Sequence, residues 1–407
     1  MVANGASFTY TFNPANNSLL QTGGAPLKGI GEATWVKLPN DNILIIDSGN
    51  GNSGSTSAEQ YNPASDTWAS AGTAPNIWPD VSGSGFVSEM GPAFLLPNGN
   101  AIFFGGNGVT AIYNNGTWSQ GTSIPNGLGM KDAAGVMMNN GQILLAVCSQ
   151  GNNSAGTNIN GAPPSSFYTF DYTANGGSGD YTQVPAPGMA VTLDRIANAF
   201  EFLNLPDGSI LVCGFGGQCY VYSPTGSAIN AGKPNVTGVS VNGDGSLHIS
   251  GTLLNGISQG SSFGDNAEND SNYPLVRFTD ASGNVRYGRT YNWSSTSVMT
   301  GTNILTTECT VPSGASAADS IQVIANGNAS DPVALNYAVN GITWVDFNFG
   351  GTEDGSFNNP WNSLSQGNFH ATSGGLIVIK AGSSAETLSL TKPMRIVSYG
   401  GTAHIGP

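Results

Sequence analysis

A few groups of side chains in this sequence have types and spacings that suit chemistry. Asp346, Glu353 and Asp354 lie within one short stretch. Clustered carboxylate oxygens are what a hard cation such as Ca²⁺ takes, so these three are the calcium candidates, and no other cofactor is implied. Asp265, Glu268 and Asp270 form a second acidic set. The plainer reading of both sets is solvated turn carboxylates. Gly256-Ile257-Ser258-Gln259-Gly260 matches the G-x-S-x-G nucleophile elbow, a motif that needs a strand, a sharp turn and a helix. In a chain this rich in Gly and Ser the match arises readily by chance. His248, His370 and His404 stand alone, and a lone histidine is more often a surface or core residue than a ligand. No catalytic residue is assigned. Among the tryptophans, Trp68 and Trp118 recur at a repeat position that packs between sheets. Trp78 and Trp361 fall in loops and are the candidate platform for stacking on a sugar. Cys213 and Cys219 flank a turn between adjacent strands. That spacing allows a disulfide, which would fit an oxidising compartment. Cys148 and Cys309 read as buried thiols.

The elements that must position these residues are β-hairpins. Leu95-Leu96-Pro97-Asn98-Gly99-Asn100-Ala101-Ile102-Phe103-Phe104-Gly105-Gly106 reads as a strand, a tight turn and a second strand. The second strand is apolar on both faces, so it must lie between two layers. The unit returns at Leu38-Pro39-Asn40-Asp41-Asn42, Asn139-Asn140-Gly141-Gln142 and Leu205-Pro206-Asp207-Gly208-Ser209, each followed by an apolar strand. With Asp41, Gly99, Gly141 and Gly208 equivalent, the steps are 58, 42 and 67 residues. This is a repeat architecture with insertions in its loops. An outer pair of strands follows each hairpin, most clearly at Tyr61-Asn62-Pro63-Ala64-Ser65-Asp66-Thr67-Trp68. Inner and outer pairs together make a four-stranded antiparallel propeller blade. Phe12-Asn13-Pro14 near the N-terminus aligns with Tyr61-Asn62-Pro63, which gives five outer pairs but four inner ones. The fourth strand of the last blade, near Gly226 to Ala231, is poor. Either the N-terminal strands patch that blade, or the ring is incomplete and shows an open edge.

The apolar strands, the Gly105-Gly106 pair, Tyr61-Asn62-Pro63 and the spaced Trp68 and Trp118 resemble the kelch repeats of galactose-oxidase-like propellers. The resemblance covers residues 1–233 and implies about four to five blades. Lys233-Pro234-Asn235 marks a boundary. Seven short strands in 234–340 suggest an immunoglobulin-like sandwich. Gly251-Thr252-Leu253-Leu254-Asn255-Gly256 and Ala325-Asn326-Gly327 resemble the sandwich that follows such propellers. Residues 341–407, with strands expected at Leu376–Lys380, Thr387–Leu390, Met394–Ser398 and Ala403–Ile405, look like the opening coil of a pectin-lyase-like parallel β-helix. The fold class expected is all-β throughout. Galactose oxidase holds copper with two Tyr and two His. No histidine falls within 1–233, so that site does not carry over.

Composition narrows the function. The formal net charge is −14, with only 11 basic residues. No basic stripe exists for nucleic acid. No apolar run approaches the length of a bilayer span, so no membrane insertion is expected. Met1-Val2-Ala3-Asn4 has neither the basic start nor the apolar run of a signal peptide. Scarce lysine and the family resemblance favour an extracellular or cell-surface, secreted setting. The expectation is a non-enzymatic structural or adhesive protein. It would self-associate head to tail as a homo-oligomer, up to a filament, through open β edges. A secreted carbohydrate-binding protein, with polysaccharide as partner, is the alternative, and a polysaccharide-active hydrolase or lyase ranks last.

Overall fold

The structure, a computed structural model, describes residues 2–4, 8–13, 16–24, 26, 33–47, 56–78, 90–149, 162–187, 194–214, 217–242, 246–259, 261–263, 274–312, 315, 319–334, 342–357 and 359–407. It is all-β, with 50% strand. Val2–Asn4 (β1), Phe8–Asn13 (β2) and Ser18–Gln21 (β3) form a three-stranded antiparallel sheet. Trp35–Lys37 (β4), Ile43–Ile46 (β5), Ser57–Asn62 (β6) and Thr67–Thr73 (β7) form a four-stranded one. Met90–Leu95 (β8), Ala101–Gly105 (β9), Thr110–Asn114 (β10) and Thr117–Gln120 (β11) repeat it. After Leu128–Gly129 (β12), so do Ala134–Met137 (β13), Ile143–Ser149 (β14), Ala162–Asp171 (β15) and Asp180–Val184 (β16). Phe200–Asn204 (β17), Ile210–Gly214 (β18) and Cys219–Tyr222 (β19) form a sheet of three.

The inner hairpins share one turn geometry. Asp41, Gly99, Gly141 and Gly208 all have positive φ, at 70°, 88°, 84° and 88°. Each donates its backbone N–H to the carbonyl three residues back, at 2.9 to 3.0 Å. Asn40, Asn98, Asn140 and Asp207 each accept the amide two residues on, at 3.0 to 3.1 Å. A short polar side chain followed by a left-handed residue is what a tight turn of this kind needs.

The sheets stack face to face. One core joins the first two four-stranded blades through Val36, Leu44, Met90 and Phe103. A second joins the second blade to the third and to the last sheet through Phe104, Leu144, Phe170, Phe200 and Ile210. Phe104 and Phe170 meet edge to face at 5.3 Å, and Phe167 and Phe200 at 5.1 Å. The β1–β3 sheet is tied to the first blade where Gly23 N–H donates to Asp66 Oδ2 at 2.7 Å. This is a propeller-type series whose two end sheets have three strands each among the described residues.

Beyond the series, Asn235–Val241 (β20), Leu247–Thr252 (β21), Ser261–Phe263 (β22), Leu275–Thr279 (β23), Val285–Tyr291 (β24), Leu305–Cys309 (β25), Ser320–Ala325 (β26), Asn328–Ala329 (β27) and Val333–Ala334 (β28) follow. All but β22 belong to one sheet, in the order β20-β21-β25-β24-β23-β26-β27 with β28 beside β26. Its buried core is Leu247, Ile249, Val276, Phe278, Ile321 and Val323 among others. β22 leaves this sheet and pairs with β13, the innermost strand of the third blade. Val298 likewise packs in the core of the first two blades.

Ile342–Val345 (β29), Gly375–Ser384 (β30) and Met394–Ile405 (β31) form a parallel sheet. A helix, Leu364–His370 (α1), packs on it. The sequence shows no helical period here. The helix is held instead by distant charges suited to its dipole. Glu386 accepts the Leu364 and Ser365 amides, and Lys392 Nζ donates to three carbonyls at the other end. Thr387–Leu390, expected as a strand, is not one. The two strands expected after it are one continuous strand.

Two glycine substitutions separate backbone strain from crowding. Gly99 has open space around an added Cβ, so Gly99→Ala is expected to cost about 1 kcal/mol through its positive φ alone. At Gly105 a Cβ would lie 2.6 Å from the Ile77 carbonyl oxygen. Gly105→Ala is therefore expected to cost more, up to about 3 kcal/mol. Urea unfolding of both variants checks the order.

Candidate functional site

The blades carry a ladder of aromatics at one register. Ile43, Tyr61 and Trp68 are cross-strand partners in the first four-stranded blade. Ala101, Tyr113 and Trp118 are the same row in the second, and Ile143, Phe170 and Tyr181 in the third. In the last sheet the row is Ile210 and Tyr222, and it stops there. The fourth-strand aromatic does two things. It packs on its third-strand neighbour, with ring centroids 5.4, 5.0 and 4.8 Å apart in the three full blades. In the second and third blades it also reaches the preceding sheet. Trp118 Nε1 donates to the Ala71 carbonyl at 2.9 Å. Tyr181 Oη lies 2.7 Å from Thr110 Oγ1.

Among the described residues the last sheet lacks this strand, and the chain turns away after β19. Ile229 N–H donates to the Asn139 carbonyl at 2.9 Å, and Asn140 Nδ2 to the Thr225 carbonyl at 2.9 Å. These contacts lead the chain toward β20. Beside β19 they leave an apolar groove of about 410 Å³, lined by Leu144, Phe167, Val184, Val212, Tyr220 and Tyr222. Val184 stands in β16 three residues beyond Tyr181, as Ala71 stands three beyond Trp68. The groove therefore lies where a fourth-strand aromatic would dock. Burial pushes the Tyr222 hydroxyl pKa up, so it stays a neutral, amphipathic wall.

Two end faces are also uncovered. Leu203, Leu211 and Val221 are cross-strand neighbours on the outer face of the last sheet. Leu203 is 40% exposed and Val221 61%. At the other end, Phe12 and Leu19 are opposite one another in β2 and β3, 51% and 57% exposed, and Leu20 is 69% exposed. Among the described residues, β19 and β3 each pair on one side only.

The residues singled out from the sequence fall as follows. Cys213 and Cys219 face each other across β18 and β19 and are bonded, with Cα atoms 4.2 Å apart. Cys148 and Cys309 are buried free thiols. Trp78 is 3% exposed in the core of the first two blades, so it is not a sugar platform. Its loop folds inward onto the sheets. Trp361 is half-buried and one of its faces is taken by His370, stacked at 4.1 Å and 8°. The calcium candidates do not converge. Among the described residues no group of three or more His, Cys, Asp or Glu is placed to hold a metal ion. Asp346 lies 3.6 Å from Lys380 Nζ. Asp354 accepts from the Ser356 amide and from Asn359 within its own turn. Asp265, Glu268 and Asp270 lie outside the described residues. Ser258 of the elbow-like motif is 1% exposed, with its backbone bonded to Asn326. His248 Nδ1 is 2.8 Å from Glu308 Oε1. The groove itself was signalled in the sequence only by the absence of an aromatic after Tyr222.

No protein-family model matches the chain. No curated protein matches it either. Among solved structures it is similar to a fungal alcohol oxidase of the AA5 family in complex with copper, at 11% identity and a TM-score of 0.30, covering 81% of this chain and 80% of that one. It is similar to a protein assigned as a gluconolactonase, at 14% identity and a TM-score of 0.29, covering 68% of this chain and 88% of that one. A third is the extracellular domain of a one-component system from B. thetaiotaomicron, at 11% identity and a TM-score of 0.33, covering 68% of this chain and 32% of that one. Two of these three are enzymes, and this overturns the expectation that the chain is not an enzyme. At this level of likeness no activity passes from them to this chain.

Asp66 accepts two bonds, one from within the first blade and one from the segment just after β3, and so ties that segment to the blade. Tyr61 Oη donates to its Oδ1 at 2.6 Å and Gly23 N–H to its Oδ2 at 2.7 Å. Both bonds favour the carboxylate and hold its pKa below the ordinary value. Because the folded pKa is the lower one, this contribution is fully present above the ordinary carboxylate range and is lost as pH falls through the folded value. Hydrogen-exchange protection at the Gly23 amide is expected to fall on acidification, and to be absent at every pH in Asp66→Ala. Protection that is unchanged with pH would show that the carboxylate does not carry the tie.

Proposed function

We propose that this is an extracellular or cell-surface structural protein that assembles head to tail with copies of itself through open β edges. The observation that carries this reading is the pair of three-stranded sheets ending the blade series. Each leaves a row of backbone donors and acceptors and a set of apolar side chains uncovered. The two faces differ, so contact between them is heterologous, and it extends into a filament where the rotation from copy to copy does not close a ring. β31 offers a further edge, with Tyr399 and Ile405 39% and 43% exposed. In this reading the repeats are kelch-type, the strands from β20 to β28, β22 aside, build an immunoglobulin-like sandwich, and the parallel sheet is β-helix-like. Scarce lysine and the Cys213–Cys219 bond support the extracellular setting.

Copies carrying a net charge of −14 repel one another. Salt screens that repulsion, so assembly is expected to strengthen as ionic strength rises. Sedimentation velocity across protein and NaCl concentration should show oligomers that grow with both. Negative-stain images at high salt should show rods. A compact monomer under all conditions would sink the reading.

A further inference from the structure

We propose that the junction between copies is strand addition: β3 of a second copy lies antiparallel along β19, with Leu19 in the groove beside Tyr222 and Leu20 against Val221. This rests on the self-association reading above and names the contact that reading leaves open.

The acceptor is a blade missing one strand. In the three complete blades the fourth strand sets an aromatic side chain against the third-strand aromatic. The last sheet supplies Tyr222 and the groove but not the strand. A free edge beside a pocket for alternate side chains is the arrangement that accepts an added strand.

The donor has the missing pattern. Asn13-Pro14-Ala15-Asn16-Asn17-Ser18-Leu19 parallels Asn62-Pro63-Ala64-Ser65-Asp66-Thr67-Trp68 in sequence. Phe12 pairs with Leu19 as Tyr61 pairs with Trp68. β3 is thus a fourth strand by sequence and register. Its far edge is unpaired among the described residues, and its side chains are exposed along its whole length. β3 and β19 are each four residues long. Within one chain β3 belongs to a sheet of its own and does not pair with β19. The Asp66 tie holds the segment just after β3 to the first blade, so the donor is another copy.

Antiparallel pairing with Leu19 opposite Tyr222 puts Leu20 opposite Val221 and Gln21 opposite Tyr220. Side chains directly opposite share a face. Leu19 then joins Tyr220 and Tyr222 on the face toward the third blade. Leu20, 69% exposed alone, covers Val221, 61% exposed alone. One addition covers Leu19, Leu20 and Val221 and pairs both edges.

The test is a charge exchange across the Leu20–Val221 contact in the full chain. Leu20→Asp alone and Val221→Lys alone are both surface changes. Each is expected to raise the concentration needed for oligomers at least about tenfold, a cost of about 1.4 kcal/mol. Mixed in equal amounts, the two variants form two kinds of permitted junction. One sets the introduced carboxylate against the introduced ammonium, and the other keeps Leu20 against Val221. The mixture is expected to assemble like the original chain. If the original chain is monomeric at every concentration, self-association fails and the strand junction with it. If both variants assemble normally, self-association stands, the junction lies elsewhere, and this proposal is overturned. If each variant is blocked but the mixture stays unassembled, the Leu20–Val221 register is overturned.

Discussion

A strand that is apolar on both faces must be covered on both faces, and this constraint organises the molecule. β9 shows it residue by residue. Phe103 and Phe104 are adjacent and both fully buried, yet they belong to different cores. Successive side chains point to opposite sides of a sheet, so Phe103 binds the blade before and Phe104 the blade after. Each interior sheet is therefore stabilised only as part of a series, as in other repeat architectures. The end sheets inherit the demand without the supply, and Leu203, Val221, Phe12 and Leu19 are what remains uncovered.

Legibility in the sequence followed locality. The inner hairpins were readable because Asn or Asp followed by a left-handed residue fixes a turn within a few positions. The aromatic spacing in Tyr61 to Trp68 was readable for the same reason, since both lie in one hairpin. What was hidden depended on partners far along the chain. Ser261–Phe263 has no strand signal of its own and becomes a strand only against Ala134–Val136. Leu364–His370 is too short to show a helical period and is held by Glu386 and Lys392. Trp78 sits in an irregular segment, and nothing local reveals that the segment folds inward. The groove was the hardest to read, because its signal is a strand that does not follow Tyr222.

The acidity of the chain gave a misleading cue. Asp171, Asp207, Asp280, Asp346 and Asp354 each accept the backbone amide two residues on. These are Asx turns, in which the carboxylate shapes its own loop. Asp280 accepts several such bonds, and its pKa is lowered to about 2, chiefly by the Asn284 side chain. A carboxylate engaged this way is spoken for by its turn. That is why, among the described residues, acidic residues close in sequence do not gather into a ligand set.

The pairing of β22 with β13, and the seating of Val298 among Val36 and Met90, set an order on biosynthesis. A nascent chain emerging from the ribosome through residue 233 has all the blade strands but not the pieces that finish two of their interiors. Those pieces arrive only with residues 261–298. Those contacts form only once the later segment has been translated, so they couple the blades to the region that follows.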